Sequence, residues 1–238
     1  GCYAQLDPDA IAAIDGVNLV IGTNNRSKIV ELVEQLESTE RQINAVRDIM
    51  KASNFEEMPL FGNESDKARA FMKIQEGCNN YCSFCIIPYT RGKLKSRKIQ
   101  DIVEEAKRLV EHGFHEIVLT GIHLGNYGVE LPGRPTLADV VKALLEIPEL
   151  YRIRFGSIES VEVSDELVEL MATDKRVCPN LHLPLQAGSD HVLKLMRRHY
   201  TLQEYKDLIA KLRSRIKDLS ITTDIIAGFP QETDEDFE

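Results

Sequence analysis

The sequence predicts an α/β protein whose larger part is a barrel-like array of parallel strands and helices. From about residue 67 onward, five short apolar segments alternate with amphipathic segments of helical period. Two capping boxes, Thr136 with Asp139 and Thr201 with Glu204, mark helix starts in this region. Strands that alternate with helices pair in parallel through right-handed crossovers, so we expect a partial parallel (βα) barrel.

The elements of this array follow one another in a regular order. The predicted strands cover residues 71–75, 116–121, 151–158, 181–185 and 219–226. The first predicted helix has its apolar face over residues 99–110 and ends at Gly113. Further helices are predicted from Thr136 onward, over 164–172 and over 201–216. The last residues, 233–238, resemble the start of a further helix, and the first residue is Gly1. We therefore expect a piece of a longer protein.

Residues 1–64 are predicted to form the remnant of a small α/β N-terminal domain. A short helix over 7–13, a strand over 17–22 and a helix over 26–36 are indicated by their apolar positions. Residues 37–66 are polar and without a sustained apolar period, which predicts a linker that is partly ordered at most. We place the domain boundary between residues 64 and 65, with the barrel domain over 65–238 truncated at its C-terminal end.

Polar loops follow each predicted strand of the barrel. Cys78, Gly121, Glu159, Gln186 and Gly228 come after the five strands in turn. Because active sites in such arrays lie at the carboxyl ends of the strands, we expect these residues to meet at one mouth.

Composition excludes several classes of protein. The chain has 238 residues, 43% hydrophobic content and no apolar run of membrane-spanning length, and its first residues do not show the charged-then-apolar pattern expected of a leader peptide. Five cysteines, an odd number with three clustered, favour a reducing compartment over a disulfide framework. We expect a cytoplasmic protein that does not bind membranes.

Cys78, Cys82 and Cys85 form a C-x3-C-x2-C triplet directly after the first barrel strand. A closed structural zinc site uses four protein ligands. Three thiolates on a four-iron cluster would instead leave one iron open to a small molecule. The spacing predicts a metal or cluster site rather than structural core cysteines.

The triplet, with Phe84 before its last cysteine, resembles the cluster motif of the radical S-adenosylmethionine enzymes. The flanking residues 76–92 are similar to the methylthiotransferase branch of that family. Residues 119–128 most resemble the bacterial enzymes that act on threonylcarbamoyladenosine in tRNA. The resemblance covers essentially the whole chain, and it implies that the array is the partial barrel of the radical S-adenosylmethionine type.

The resemblance also implies cofactors and their residues. A 4Fe-4S cluster would be held by Cys78, Cys82 and Cys85, and S-adenosylmethionine would chelate the fourth iron. Residues in family segments that border this cofactor are Phe84, Thr120, Gly121, Ser157, Glu159, Gln186, Arg198 and Ile226. For Arg198 the alternative is an exposed arginine at a helix end.

Cys2 and Cys178 lie outside the triplet. Residues 1–5 resemble the last of three cysteine motifs that hold a second, auxiliary 4Fe-4S cluster in methylthiotransferases, so Cys2 is implied as a metal ligand whose partners lie before residue 1. We expect this auxiliary cluster to be incomplete here. Cys178 is most simply a buried thiol.

The expected reaction, again from the resemblance, is reductive cleavage of S-adenosylmethionine to a 5′-deoxyadenosyl radical. A methylthio group would then be transferred to C2 of threonylcarbamoyladenosine beside the anticodon. The implied partners are a tRNA substrate and an external electron donor such as flavodoxin or ferredoxin, and we expect a monomer.

A basic run follows the triplet although the formal net charge is −9. Its members are Arg91, Lys93, Lys95, Arg97 and Lys98. On charge alone the run indicates a solvated surface, but beside a candidate active site it predicts contacts to RNA phosphates. The six histidines show no metal-ligand spacing, and we assign none of them a catalytic role.

Three alternatives remain open from the sequence. Methylthiotransferases acting on isopentenyladenosine in tRNA, or on an aspartate of a ribosomal protein, would use nearly the same motifs, and residues 119–123 are the one discriminator. A zinc-binding, non-enzymatic RNA module is the alternative from a different class.

Overall fold

The computed structural model describes residues 1–39, 41–58 and 68–238. Within them the helices are α1 Cys2–Leu6, α2 Pro8–Ala12, α3 Ile29–Thr39, α4 Ile87–Arg91, α5 Ile99–Glu111, α6 Leu137–Leu145, α7 Asp165–Thr173, α8 Asp190–Leu195, α9 Leu202–Arg215 and α10 Asp234–Phe237. The strands are β1 Leu19–Val20, β2 Ile43–Asn44, β3 Arg69–Lys73, β4 Gln75–Glu76, β5 Lys95–Ser96, β6 Glu116–Thr120, β7 Arg152–Phe155, β8 Asn180–His182 and β9 Ser220–Thr222.

The larger part of the chain is a curved array of five parallel strands. β3, β6 and β7 form one parallel ladder, and β8 pairs in parallel with β9. Two isolated parallel bridges connect the segments around β7 and β8: Ile153 of β7 pairs with Val177 before β8, and Ser157 after β7 pairs with His182 of β8. The five strands correspond to the five that the sequence predicts, and the partial (βα) barrel is confirmed.

The helices start where their capping residues stand. Thr136 and Thr201 accept hydrogen bonds from the backbone of Asp139 and Glu204, and each acidic side chain accepts one from the capping residue in return. The helix α10 begins at a third box, Thr233 with Asp236, within the segment predicted as a helix start.

The core lies between the strands and helices α5, α6 and α7. Ile117, Leu119 and Ile153 on the strands are fully buried, as are Ile102 and Val140 on the facing helices. Alternation between buried and exposed side chains along these helices matches the apolar periodicity of the sequence.

The short elements differ most from prediction. The structure places β2 inside the segment predicted as a linker, where Ile43 and Asn44 pair in parallel with Leu19 and Val20 of β1. The absence of a long apolar run therefore did not mean absence of structure, because a two-residue strand needs none. The rest of that predicted linker includes residues 40 and 59–66, which lie outside the described residues.

The antiparallel β4–β5 pair, which follows β3 directly, was not predicted either. Each of its strands has two residues, too few to show a period. Among the described residues, no helix combines the length and apolar character needed to cross a membrane.

Candidate active site

The three clustered cysteines line one cavity at the carboxyl ends of the strands. The cavity has a volume of about 180 Å³. It is lined by Cys78, Asn80, Cys82, Phe84, Cys85, Ile87, Ile122, His123, Leu124, Ser157, Ile158, Glu159, Pro184, Gln186 and Arg198. Of the five loop residues predicted to meet at one mouth, Cys78, Glu159 and Gln186 line this cavity, whereas Gly121 and Gly228 do not.

The cysteine loop is held by hydrogen bonds of the backbone. The N–H of Cys78 donates to the carbonyl of Gly92 at 3.1 Å, and that of Cys85 donates to Cys82 at 3.0 Å. Ser83 ties the loop to the end of α8: its N–H donates to the carbonyl of Met196 at 3.2 Å, and its hydroxyl donates to that of Leu195 at 2.8 Å. The loop is therefore fixed at both of its sides.

Arg198 lies against the second cysteine. Its Nη1 donates to Cys82 Sγ at 3.1 Å, and its Nη2 lies 2.5 Å from Glu159 Oε1. The side chain is only 3% exposed, so the alternative of a solvated arginine at a helix end is wrong. Burial opposes its charge, but the neighbouring Glu159 carboxylate raises the pKa of Arg198 above its ordinary range. A permanent positive charge therefore stands beside a cysteine sulfur.

His123 is a site residue that the sequence did not reveal. It is 3% exposed, its Nδ1 lies 3.5 Å from Cys78 Sγ, and its Nε2 contacts the carboxylate of Glu162. The N–H of His123 donates to the side chain of fully buried Gln75 at 2.7 Å. Burial opposes protonation, but Cys78 and Glu162 raise the pKa of His123 to about 10. The available signal was its position in the loop three residues after the end of β6, whereas the spacing of histidines along the chain gave none.

The donor set fits a bound iron–sulfur cluster. Burial raises the pKa of the Cys85 thiol, and the neighbouring Cys82 and Cys78 raise it further, while the Ile87 N–H and Arg198 lower it. Three thiolates so close together repel one another unless cations compensate them, and iron supplies such charge. Arg198 adds positive charge at the Cys82 sulfur, and the imidazole of His123 lies beside the Cys78 sulfur.

A single zinc ion fits the cysteines less well. Zn–S bonds of about 2.3 Å hold all sulfurs of one site within about 4.6 Å of one another. Among the described residues, the His/Cys/Asp/Glu group whose ligand atoms all lie within 4.8 Å is His123, Glu159 and Glu162, and the cysteine triplet does not form such a group. In that group Glu159 is already paired with Arg198, and Glu162 with His123.

The residues assigned to the cofactor by resemblance divide into two sets. Phe84, Ser157, Glu159, Gln186 and Arg198 line the cavity with the cysteines. Gln186 adopts a left-handed backbone conformation with φ of +70°, which is uncommon for a residue other than glycine and is found often at functional sites.

The second set lies around the mouth but does not line this cavity. The hydroxyl of Thr120 donates to the carbonyl of Met72 at 3.2 Å. A Cβ at Gly121 would stand 3.0 Å from Gln75, so the glycine is explained by close packing. The N–H of Ile226 donates to the carbonyl of Gln186 at 2.8 Å, and its side chain packs against the core.

The structure corrects the prediction that the whole basic run contacts RNA. Lys95 and Arg97 are 3% and 5% exposed, and Arg97 is paired with Glu105 at 2.6 Å. The Nζ of Lys95 donates to the carbonyl of Arg91 at 2.9 Å. Because both side chains are buried and have partners within the chain, neither is presented to a phosphate. Lys93 and Lys98 are exposed.

Arg91 joins the N-terminal residues to the cysteine loop. Its Nε donates to Cys2 Sγ at 3.2 Å, and its Nη1 lies 2.8 Å from Glu76. Glu76 is buried and also pairs with Lys73 and Arg26, at 2.9 Å and 3.2 Å. Arg91 therefore holds Cys2 next to the strand that leads into Cys78. Cys178 is buried, as predicted.

Comparison with known proteins gives a family match over most of the barrel. The sequence profile of the Radical SAM superfamily matches residues 72–238. Two radical enzymes of known structure share the fold: the methyltransferase TsrM from Kitasatospora setae, with a TM-score of 0.57 and 16% identity over 71% of this chain and 32% of that one, and the cobalamin-dependent enzyme OxsB, with 0.53 and 15% over 66% and 23%.

Curated relatives align along the whole chain. A Bacillus subtilis (strain 168) protein named threonylcarbamoyladenosine tRNA methylthiotransferase MtaB is 43% identical over 100% of this chain and 52% of its own length. A Thermoanaerobacter sp. (strain X514) protein named tRNA-2-methylthio-N(6)-dimethylallyladenosine synthase is also 43% identical, over 100% of this chain and 50% of its own length. The chain spans about half the length of these relatives.

Proposed function

Because the chain belongs to the radical SAM superfamily, we propose that it provides the radical-generating part of a tRNA methylthiotransferase. The observation that carries the proposal is the meeting of Cys78, Cys82 and Cys85 with Glu159 and Arg198 in one cavity at the carboxyl ends of the strands. Both relatives described above are named as enzymes that modify adenosines of tRNA, which supports the assignment to this branch.

In the proposed site the three cysteines hold a 4Fe-4S cluster, and S-adenosylmethionine binds beside it. Together these groups supply one-electron cleavage of the sulfonium, which protein side chains cannot perform. The chain contributes the ligands and the shape of the cavity. Arg198 compensates negative charge at the Cys82 sulfur, His123 lies beside the Cys78 sulfur, and Phe84, Ile122 and Pro184 supply apolar lining.

Cys2 is the proposed ligand of an auxiliary cluster. Arg91 donates a hydrogen bond to its sulfur at 3.2 Å and pairs with Glu76, so the sulfur is held beside the strand that leads into Cys78. The partner cysteines implied by the resemblance are outside this sequence, so the sulfur-transfer half of the reaction belongs to the whole protein.

The proposed substrate is threonylcarbamoyladenosine in tRNA. The segment over residues 119–128 supports it, and so does the name of the Bacillus subtilis relative. The second candidate is a dimethylallyladenosine, since a relative with that name is equally similar. Nucleoside analysis of tRNA treated with the whole protein decides between them. We expect methylthiolation of only the threonylcarbamoyl nucleoside. Methylthiolation of only the dimethylallyl nucleoside would contradict the choice.

Cleavage of S-adenosylmethionine tests the radical site itself. After anaerobic reconstitution and reduction, the wild-type chain should hold iron and sulfide and release 5′-deoxyadenosine. Cys82→Ala should lose at least about 100-fold of this activity, because one iron of the cluster loses its ligand. Cys178→Ala is the matched control, since Cys178 is buried away from the cavity. A colourless protein with one zinc ion, or equal release by Cys82→Ala, would overturn the proposal.

A further inference from the structure

The guanidinium of Arg198 is aimed at the site in a way that the resemblance does not explain. Resemblance implies contact with the organic cofactor, yet Nη1 donates to Cys82 Sγ at 3.1 Å. Hydrogen bonds to the sulfurs are among the factors that set the reduction potential of an iron–sulfur cluster. From this geometry we propose that Arg198 is a positioning residue that raises the reduction potential of the cluster through the Cys82 sulfur, an inference that rests on the proposed function.

The side chain is locked in this orientation from three directions. Glu159 pairs with Nη2 at 2.5 Å, and the ring of Tyr200 lies 5.2 Å from the guanidinium carbon. The preceding residue, Arg197, has a left-handed backbone with φ of +59°, so the turn that presents Arg198 is specific. Since the side chain is 3% exposed, water does not compete for the sulfur.

The sign of the effect follows from charge. Reduction adds one electron to the cluster, and part of that negative charge falls on the ligand sulfurs. A donor that is always protonated stabilises the reduced form more than the oxidised form. This electrostatic stabilisation is screened only slightly at a buried site, because the local dielectric constant is low. The potential is therefore higher with Arg198 than without it.

The effect is specific to one sulfur of the three. At Cys78 the backbone N–H of Asn80 donates at 3.4 Å and the imidazole of His123 lies 3.5 Å away, and at Cys85 the donor is the backbone N–H of Ile87. Among the described residues, the guanidinium that reaches the triplet is that of Arg198. Arg197 carries the same charge one residue away but is exposed, so it provides a matched control.

A redox titration followed by electron paramagnetic resonance tests the proposal on the reconstituted chain. In Arg198→Gln the ratio of reduced to oxidised cluster at a fixed potential should fall about tenfold, a shift of about 59 mV to lower potential for one electron. Arg197→Gln should titrate like the wild type. An Arg198→Gln protein with a full complement of iron and sulfide and an unchanged potential would overturn the proposal, including the case in which only its affinity for S-adenosylmethionine falls.

A second measurement does not depend on the variant being stable. In wild-type protein labelled with ¹⁵N-arginine, pulsed electron paramagnetic resonance of the reduced cluster should detect a weak ¹⁵N hyperfine coupling carried by the N–H···S bond. Absence of that coupling contradicts the inference while leaving the proposed function standing. A wild-type chain that holds no four-iron cluster would instead show that the proposed function has failed.

Discussion

Single residues in this chain have roles that their charge alone does not disclose. Glu76 is 3% exposed, and it pairs with Arg26, Lys73 and Arg91. Arg91 follows the cysteine loop in a run that looks like a surface for phosphates. The ion pair with Glu76 directs the side chain of Arg91 toward the interior. The basic run does not reveal this pairing, because Glu76 precedes the cysteine loop in the sequence.

Removing the carboxylate of Glu76 should be costly. In Glu76→Gln three cations lose their shared partner at a buried position, and we expect a loss of about 3 kcal/mol in the free energy of unfolding at pH 7. Urea unfolding measures it. Glu149→Gln, at an exposed position, should change the free energy by less than about 0.5 kcal/mol. Equal effects of the two substitutions would show that the ion pairs of Glu76 contribute little.

The same carboxylate predicts a dependence on pH. Burial raises the pKa of Glu76, but Lys73, Arg26 and Arg91 outweigh burial and lower it below its ordinary value of 4.5. A lowered folded-state pKa gives stability that is present above pH 4.5 and is lost as the pH falls through the folded-state value. The difference between wild type and Glu76→Gln should therefore shrink as urea titrations are moved from pH 7 into that acidic range.

At the scale of elements, the junction between β4 and the cysteine loop depends on a glycine. Gly77 has φ of +77°, and a Cβ there would stand 1.9 Å from the carbonyl oxygen of Lys93. Gly133 has nearly the same φ, +78°, with nothing within 4 Å of such a Cβ. The two positions thus separate backbone conformation from steric contact.

Gly77→Ala should displace the loop that carries Cys78. We expect iron bound after reconstitution to fall well below half of the wild-type value, and stability to fall by more than the ~1 kcal/mol that alanine costs at a left-handed position. Gly133→Ala should show only that smaller cost and bind iron normally. Iron analysis and urea unfolding of both variants check this, and normal iron binding by Gly77→Ala would show that the loop tolerates the shift.

The elements that the sequence predicts well are those in which a pattern of apolar residues continues over several residues or a capping box marks the start. The helix α5 and the strand β6 follow from apolar spacing, and α6 and α9 follow from their capping boxes. The elements missed are short and are stabilised by tertiary contacts. The strand β5, for example, is buried at both residues beside β4, although its residues are Lys95 and Ser96.

For the whole molecule, the order of strands predicted where the site lies, and the three cysteines and Glu159 were predicted with it. What could not be predicted was which side chains pair across the mouth. His123 with Glu162, and Arg198 with Glu159, are separated by 39 residues in each case. Such pairs depend on how two loops are positioned relative to each other along the barrel axis, and the apolar periodicity of the sequence does not encode that position.

The proposed contacts to RNA involve only the exposed members of the basic run. Lys93 and Lys98 remain exposed from the basic run, and we expect Lys93→Gln with Lys98→Gln to weaken binding of tRNA. The slope of log affinity against log salt should become shallower by about 1 for each phosphate that the protein no longer binds. Lys175→Gln, exposed before β8 at the other end of the strands, is the control. Fluorescence anisotropy at several salt concentrations measures both, and unchanged binding by the double variant would move the RNA surface elsewhere.

The anchoring of the cysteine loop by Ser83 has a consequence for how a cluster is acquired. The two hydrogen bonds from Ser83 to the end of α8 fix the loop between its second and third cysteines through the chain itself. Ordering one residue of a flexible loop costs about 1–2 kcal/mol of entropy, and here that cost belongs to folding rather than to metal binding. Metal delivery and chain folding should therefore be separable events in this protein, in contrast to small zinc domains that fold only around their ion.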